Sequence, residues 1–196
     1  MPDWLDGLSA KYQGSKLKIV ESIKKDDHIA YEYIDGKTLE EICDDYLQAG
    51  NVAQAKSLIS EYISLIRERN GAGEFVLSSE SKAAFEQVFG TVEFKNTMHG
   101  GTVKITNTNQ TTQMSVNNID MVLNNVIERD GTWNLIDYEW TFSFPVPVEF
   151  IIYRVLHYYL EGHAGREVLR YEDFLDITPE DRKTFTQMEI RFQQYV

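Results

Sequence analysis

The feature that most constrains this chain is a pair of amphipathic helices written back to back. Thr38-Leu-Glu-Glu41 has the spacing of a capping box, in which the threonine hydroxyl accepts from a free backbone amide while the glutamate reaches back. Behind it Leu39, Ile42, Cys43, Tyr46 and Leu47 form one apolar stripe, and Ala49-Gly50-Asn51 ends the run. A second stripe follows at helical spacing, Leu58, Ile59, Tyr62, Ile63 and Ile66, before Asn70-Gly71. Any fold for this chain has to bury both stripes.

The flanking segments read as strands and further helices. KLKIV (Lys16 to Val20) and HIAYEYI (His28 to Ile34) alternate as strands do, and Asp35-Gly36 closes the second. SSESKAAFEQVFG predicts a short helix capped by Ser79 or Ser81 and ending at Gly90, and from Gly101 onward Val, Ile, Thr and Asn favour short strands. MVLNNVIERDGTWNLID reads as a hairpin whose Arg-Asp-Gly turn uses Gly131 for a positive φ. Pro145 and Pro147 force an extended loop, because neither can donate to a ladder. A helix from about Val148 to Leu160 and another from about Pro179 to Tyr195, the latter capped by Thr178, complete the chain. The class is α+β, mostly helical with short β-hairpins.

Charge and cysteine usage narrow the function. The 196 residues carry a formal net charge of −12, which repels phosphate backbones, and the lysines near the start are interrupted by acids and apolar residues. No nucleic-acid partner is therefore expected. Cys43 is the single cysteine, so no intramolecular disulfide can form, and it reads as a small core residue. The longest apolar run, FPVPVEFIIYRVLHYYL, contains Glu149, Arg154 and His157 and is too short and polar for a membrane span. The opening MPDWLDGLSAKYQG lacks the regions of a signal peptide, and a cytoplasmic location is expected.

Polar residues around the hairpin carry the chemistry. Asp120 stands five positions before Asn125, and Asp137 follows the second strand in Leu-Ile-Asp. Two readings compete: solvent-facing turn capping, and a metal–phosphate site. A carboxylate and an amide carbonyl suit magnesium, which takes hard oxygen ligands and keeps positions for phosphate and water. A second carboxylate nearby can receive a proton from an acceptor hydroxyl.

YEYIDGKTLEEI, then Asp-x-x-x-x-Asn, then LIDYEW together resemble the hinge and carboxy-terminal lobe of the protein-kinase-like fold. The small-molecule branch is the nearer likeness: aminoglycoside and choline phosphotransferases and lipopolysaccharide kinases. More narrowly, LIDYEWTFSFPVPVEFIIYRVLHYY looks like a kinase-like module appended to bacterial glycosyltransferases and methyltransferases of surface-polysaccharide pathways. The resemblance spans roughly Ile29 to Leu160. It implies that residues 1–36 are the remnant of an amino-terminal lobe and hinge, and that residues 37–196 form the kinase-like lobe. Asp120 falls on the catalytic aspartate that orients or deprotonates the acceptor hydroxyl, and Asn125 and Asp137 fall on the magnesium ligands. ATP and Mg2+ are the implied cofactors. A sugar or glycan is the implied acceptor, with the neighbouring domains of a larger polypeptide as partners.

The sequence departs from the family pattern in two places. Where the family writes His-x-Asp, Asn118 gives Asn-Ile-Asp, and an asparagine can still hydrogen-bond the loop. No Gly-x-Gly-x-x-Gly precedes HIAYEYI, Gly7 and Gly14 are isolated, and Lys18 is a poor stand-in for the phosphate-clamping lysine. The expectation is a piece of a longer protein with negligible phosphotransfer by itself. The alternative is a non-catalytic kinase-like lobe that binds a glycan, a nucleotide or a neighbouring transferase domain.

Other residues have plainer readings. Glu139 is an ion-pair partner or a further ligand, and Arg154, inside an apolar helix face, is expected to pair with Asp137 or Glu139. His157 and His163 are not spaced as zinc ligands on a helix, and His99 reads as a loop residue. Trp133, Trp140, Phe142 and Phe144 are expected to pack the lobe.

Overall fold

A computed structural model describes residues 3–24, 29–70, 75–92, 104–105 and 116–196. Helix α1 (Asp3–Tyr12) leads into β1 (Leu17–Ile19), and β2 (Ser22–Lys24) pairs antiparallel with β3 (Ile29–Tyr31). The strand expected over His28 to Ile34 is shorter than its alternation promised, and His28 itself lies outside the described residues. His99 and most of the stretch after Gly101 also lie outside them; the strand β6 (Lys104–Ile105) pairs parallel with β5 (Val76–Leu77).

The helical half follows the sequence closely. β4 (Lys37–Thr38) feeds α2 (Leu39–Gln48), and the capping box forms in full: the Glu41 amide donates to Thr38 Oγ1 at 3.1 Å and the Thr38 amide to Glu41 Oε2 at 2.8 Å. α3 (Val52–Asn70) buries Ile59, Tyr62, Ile63 and Ile66, the stripe read from spacing. α4 (Ser79–Phe89) is capped by Ser78, which accepts from the Ser81 amide at 3.1 Å, so neither Ser79 nor Ser81 is the cap. Three serines within four positions offer the same hydroxyl; the first wins because the Ser79 and Ser81 backbones are already helical. Gly90 ends α4 at φ +74°, a region that disfavours a side chain.

The hairpin sits at the centre of the only four-stranded sheet among the described residues, order β1-β9-β8-β4. β8 (Val126–Arg129) and β9 (Thr132–Leu135) are antiparallel, and β1 runs parallel to β9 with Leu17 opposite Trp133. Asp130 and Gly131 both have positive φ, 52° and 77°, as a two-residue turn matching the strand twist requires. A second pairing, β7 (Asn117–Asn118) with β10 (Thr141–Phe142), closes around the segment between them.

Extended chain through Pro145 and Pro147 delivers α5 (Val148–Leu160), which is buried on nearly all sides. α6 (Pro179–Tyr195) packs Phe185, Met188 and Phe192 inward, with Thr178 and Asp181 forming its capping box. A single cluster joins Leu5, Leu8 and Tyr12 of α1, Leu17, the α2 and α3 stripes, Trp133 and α5. Trp133 is buried edge-on to Tyr62, and Phe142 and Phe144 pack with Phe85 and Phe89. Cys43 lies in this core, where burial, with Asp44 adding to it, pushes its thiol up to about 12 and leaves it unreactive. No helix among the described residues is long and apolar enough to cross a membrane.

Candidate functional site

Asp120 is the one half-buried residue in a buried run from Val116 to Leu123, and its side chain reaches Arg154 rather than the core. Three contacts fix the backbone there: Ile119 N–H to Trp140 carbonyl at 3.1 Å, Asp120 N–H to Asn118 Oδ1 at 2.8 Å, and Tyr62 hydroxyl to Met121 carbonyl at 3.0 Å. Asn118 thus holds the loop through its side-chain oxygen.

Asn125 closes a 3-10 turn over Leu123–Asn125, and its Nδ2 donates to the Asp120 carbonyl at 3.1 Å. That bond settles the orientation of the amide. Its Oδ1, the atom a cation would take, makes no hydrogen bond among the described residues. The Asn125 carbonyl in turn accepts from Ile136 N–H at 3.0 Å, which ties the turn to the end of β9 one residue before Asp137.

Asp120, Asn125 and Asp137 line one open pocket of about 290 Å³, together with Trp140, Arg154, Tyr158, Phe192 and Gln193. The three residues singled out in the sequence therefore meet at a common cavity. Burial raises the Asp120 carboxyl above its usual range; Arg154 opposes this, while Asp137 and Glu139 add to it. Two carboxylates that feel each other across a cavity can share a cation, which would relieve that repulsion. Among the described residues no three His, Cys, Asp or Glu side chains gather at a point. A magnesium site of one carboxylate and one carboxamide needs no such group, because phosphate oxygens and water fill the remaining positions.

Arg154 departs from the expectation set by the sequence. It forms the buried ion pair expected of it, but with neither Asp137 nor Glu139: Nη1 donates to Glu189 Oε2 at 2.7 Å and Nη2 to Asp120 Oδ1 at 3.2 Å. Its place on α5 faces α6 and the Asp120 loop, whereas Glu139 is exposed, its amide donating to Asp137 Oδ1 at 3.4 Å. Tyr158 donates to Glu189 Oε1 at 2.7 Å, and Gln193 donates to both Tyr158 and Glu189 at 3.0 Å.

The wall supplied by α6 went unread in the sequence. A signal was there. Glu189 lies four residues after Phe185 and three before Phe192, on the buried face of its helix, and an acid in an apolar stripe calls for a buried cation. Arg154 posed the same question from the other side. Lys18, the strand lysine considered for phosphate clamping, is exposed on β1. Comparison with protein-family models, with curated proteins and with solved structures finds no match.

Proposed function

We propose that this chain is a kinase-like phosphotransferase lobe that holds a magnesium nucleotide with Asn125 and Asp137 and directs an acceptor hydroxyl with Asp120. In the transfer, the hydroxyl oxygen bonds to the γ-phosphorus of ATP, the β–γ bridging bond breaks, and ADP leaves. The hydroxyl proton passes to the Asp120 carboxylate. The acceptor is a sugar or glycan, and the setting is bacterial, cytoplasmic surface-polysaccharide biosynthesis within a larger glycosyltransferase- or methyltransferase-type polypeptide. One observation supports this reading: Asp120, Asn125 and Asp137 share one pocket, and the Asn125 oxygen makes no hydrogen bond among the described residues.

Calorimetry with ATP in magnesium, compared with ATP in EDTA, tests it. Metal-dependent binding that Asp137→Ala abolishes is the expected result. Identical titrations of the wild type and Asp137→Ala would remove the nucleotide from the account.

A second reading has its own support. Arg154 engages one oxygen of Asp120, the carboxylate that would take the proton. On this reading the lobe binds without transferring. ATP binding that is unaffected both by EDTA and by Asp137→Ala would favour it.

A further inference from the structure

Lys11, in the last turn of α1, turns its ammonium inward. Nζ lies 2.6 Å from the Val116 carbonyl, 2.7 Å from Asn70 Oδ1 and 3.2 Å from Asn117 Oδ1. These oxygens come from the end of α3 and from the strand that leads into the Asp120 loop. All three are neutral. Among the described residues Lys11 has no carboxylate partner, which is unusual for a lysine drawn this far from water. Burial lowers its pKa to about 8, so at neutral pH the charged form occupies the site.

The cage is set by contacts that do not involve Lys11. Asn70 Nδ2 donates to the Ile66 carbonyl at 2.8 Å and to the Tyr12 hydroxyl at 3.3 Å, which leaves Oδ1 as the side facing the ammonium. Asn117 Nδ2 donates to the Phe144 carbonyl at 3.0 Å, which fixes its Oδ1 in the same way. Two carboxamide oxygens and a backbone carbonyl, oriented in advance, are the donor set of a cation site. A neutral cage suits a single positive charge.

We propose that Asn70, Val116 and Asn117 form a monovalent-cation site that Lys11 fills as a tethered ammonium, and that α1 thereby fixes the strand feeding the Asp120 loop. The helix is close enough to do this. At Gly7, one turn before Lys11, a Cβ would come within 2.8 Å of Val116 Cγ2, so the residue just before β7 is gripped twice along one face of α1. Tyr12 adds a third contact, its hydroxyl 3.9 Å from Met121 Sδ on the far side of Asp120. The cage and its occupant stand independently of phosphotransfer, since no substrate enters their geometry.

Lys11→Ala removes the tether and leaves the cage. Melting temperature is measured at neutral pH and matched ionic strength in potassium, ammonium, propylammonium and tetramethylammonium chlorides. In tetramethylammonium, which is too large for the cage and donates no hydrogen bond, the variant should melt roughly 4–10 °C below wild type. Ammonium or propylammonium should restore most of that loss saturably, while wild type should not distinguish the salts. A variant equally stable in all four salts overturns the proposal. Lys11→Met keeps the stem and loses the donors; it should be destabilised and unrescued, and a wild-type melting temperature for it also overturns the proposal. Should Lys11→Ala fail to fold in tetramethylammonium, refolding yield replaces melting temperature: a higher yield in ammonium or propylammonium supports the cage, and equal yields in all four salts overturn it.

Discussion

The Nδ2 of Asn125 donates to the backbone carbonyl of Asp120, five positions earlier in sequence, at 3.1 Å. This one bond orders the loop that presents Asp120 and uses the amide nitrogen of Asn125, a residue that lines the cavity. Asparagine serves both ends of the arrangement; aspartate would lose one part of it and alanine both.

Two substitutions separate these parts. Asn125→Asp keeps a cation-binding oxygen but loses the N–H, leaving a part-buried carbonyl unsatisfied at a cost of about 1–3 kcal/mol. Asn125→Ala loses both. Urea denaturation should show both variants destabilised, while Mn2+ titration should show at least a tenfold loss of affinity for Asn125→Ala alone. Equal cation affinity in the two variants would take Asn125 out of the metal site.

The Arg154 pair makes a prediction about stability. Arg154→Met leaves Glu189 buried without its cation, and breaking a buried pair in this way costs about 3–5 kcal/mol. Adding Glu189→Met removes the stranded charge and should recover a large share of that loss. A double-mutant cycle in urea measures the coupling. Additive losses would mean that the two side chains do not depend on each other.

Asp120 should leave a signature in acid. Burial raises its folded-state carboxyl above 3.8, the ordinary value, so the folded chain holds this proton more firmly than the unfolded chain does. The contribution favours folding at low pH and is lost as pH rises through the raised value. The stability of wild type relative to Asp120→Asn should therefore fall as pH climbs from about 3.8 toward neutrality. Melting curves of both proteins across that range check the sign, and a rising difference would contradict it.

Two glycines hold the site's frame for different reasons. Gly131, at φ 77°, completes the hairpin turn, and Gly131→Ala should cost about 1 kcal/mol or somewhat more. Gly36 has an ordinary φ, but a Cβ there would collide with the Glu128 carbonyl of β8. Gly36→Ala should consequently displace β4 from β8 and cost more than the Gly131 change. Chemical denaturation of the two variants ranks them.

How much of this could be read from sequence depends on how local each cause was. Thr38, Glu41, Thr178 and Pro179 act within one turn of their own helices, and those helix starts fall where the sequence placed them. The turn at Asp130-Gly131 is likewise local. The cap of α4 slipped by one to three positions because adjacent serines are chemically equivalent until the backbone chooses between them. The partners of Arg154 were misplaced because Glu189 comes from a helix 35 residues away, and spacing carries no information about which helix packs beside which. Lys11 was passed over for the same reason: its three oxygens lie up to 106 positions from it. That Asn125 and Asp137 line one pocket was legible because the hairpin β8–β9 spans the sequence between them, whereas Asp120 was singled out through a resemblance.

Manganese is the most direct probe of the central claim, since it substitutes for magnesium and broadens the NMR signals of groups close to it. Substoichiometric Mn2+ with ATP should broaden the backbone amides around Asp120, Asn125 and Asp137 first, and Asp137→Ala should abolish that broadening. Broadening spread over the acidic surface, or unchanged in Asp137→Ala, would contradict the account.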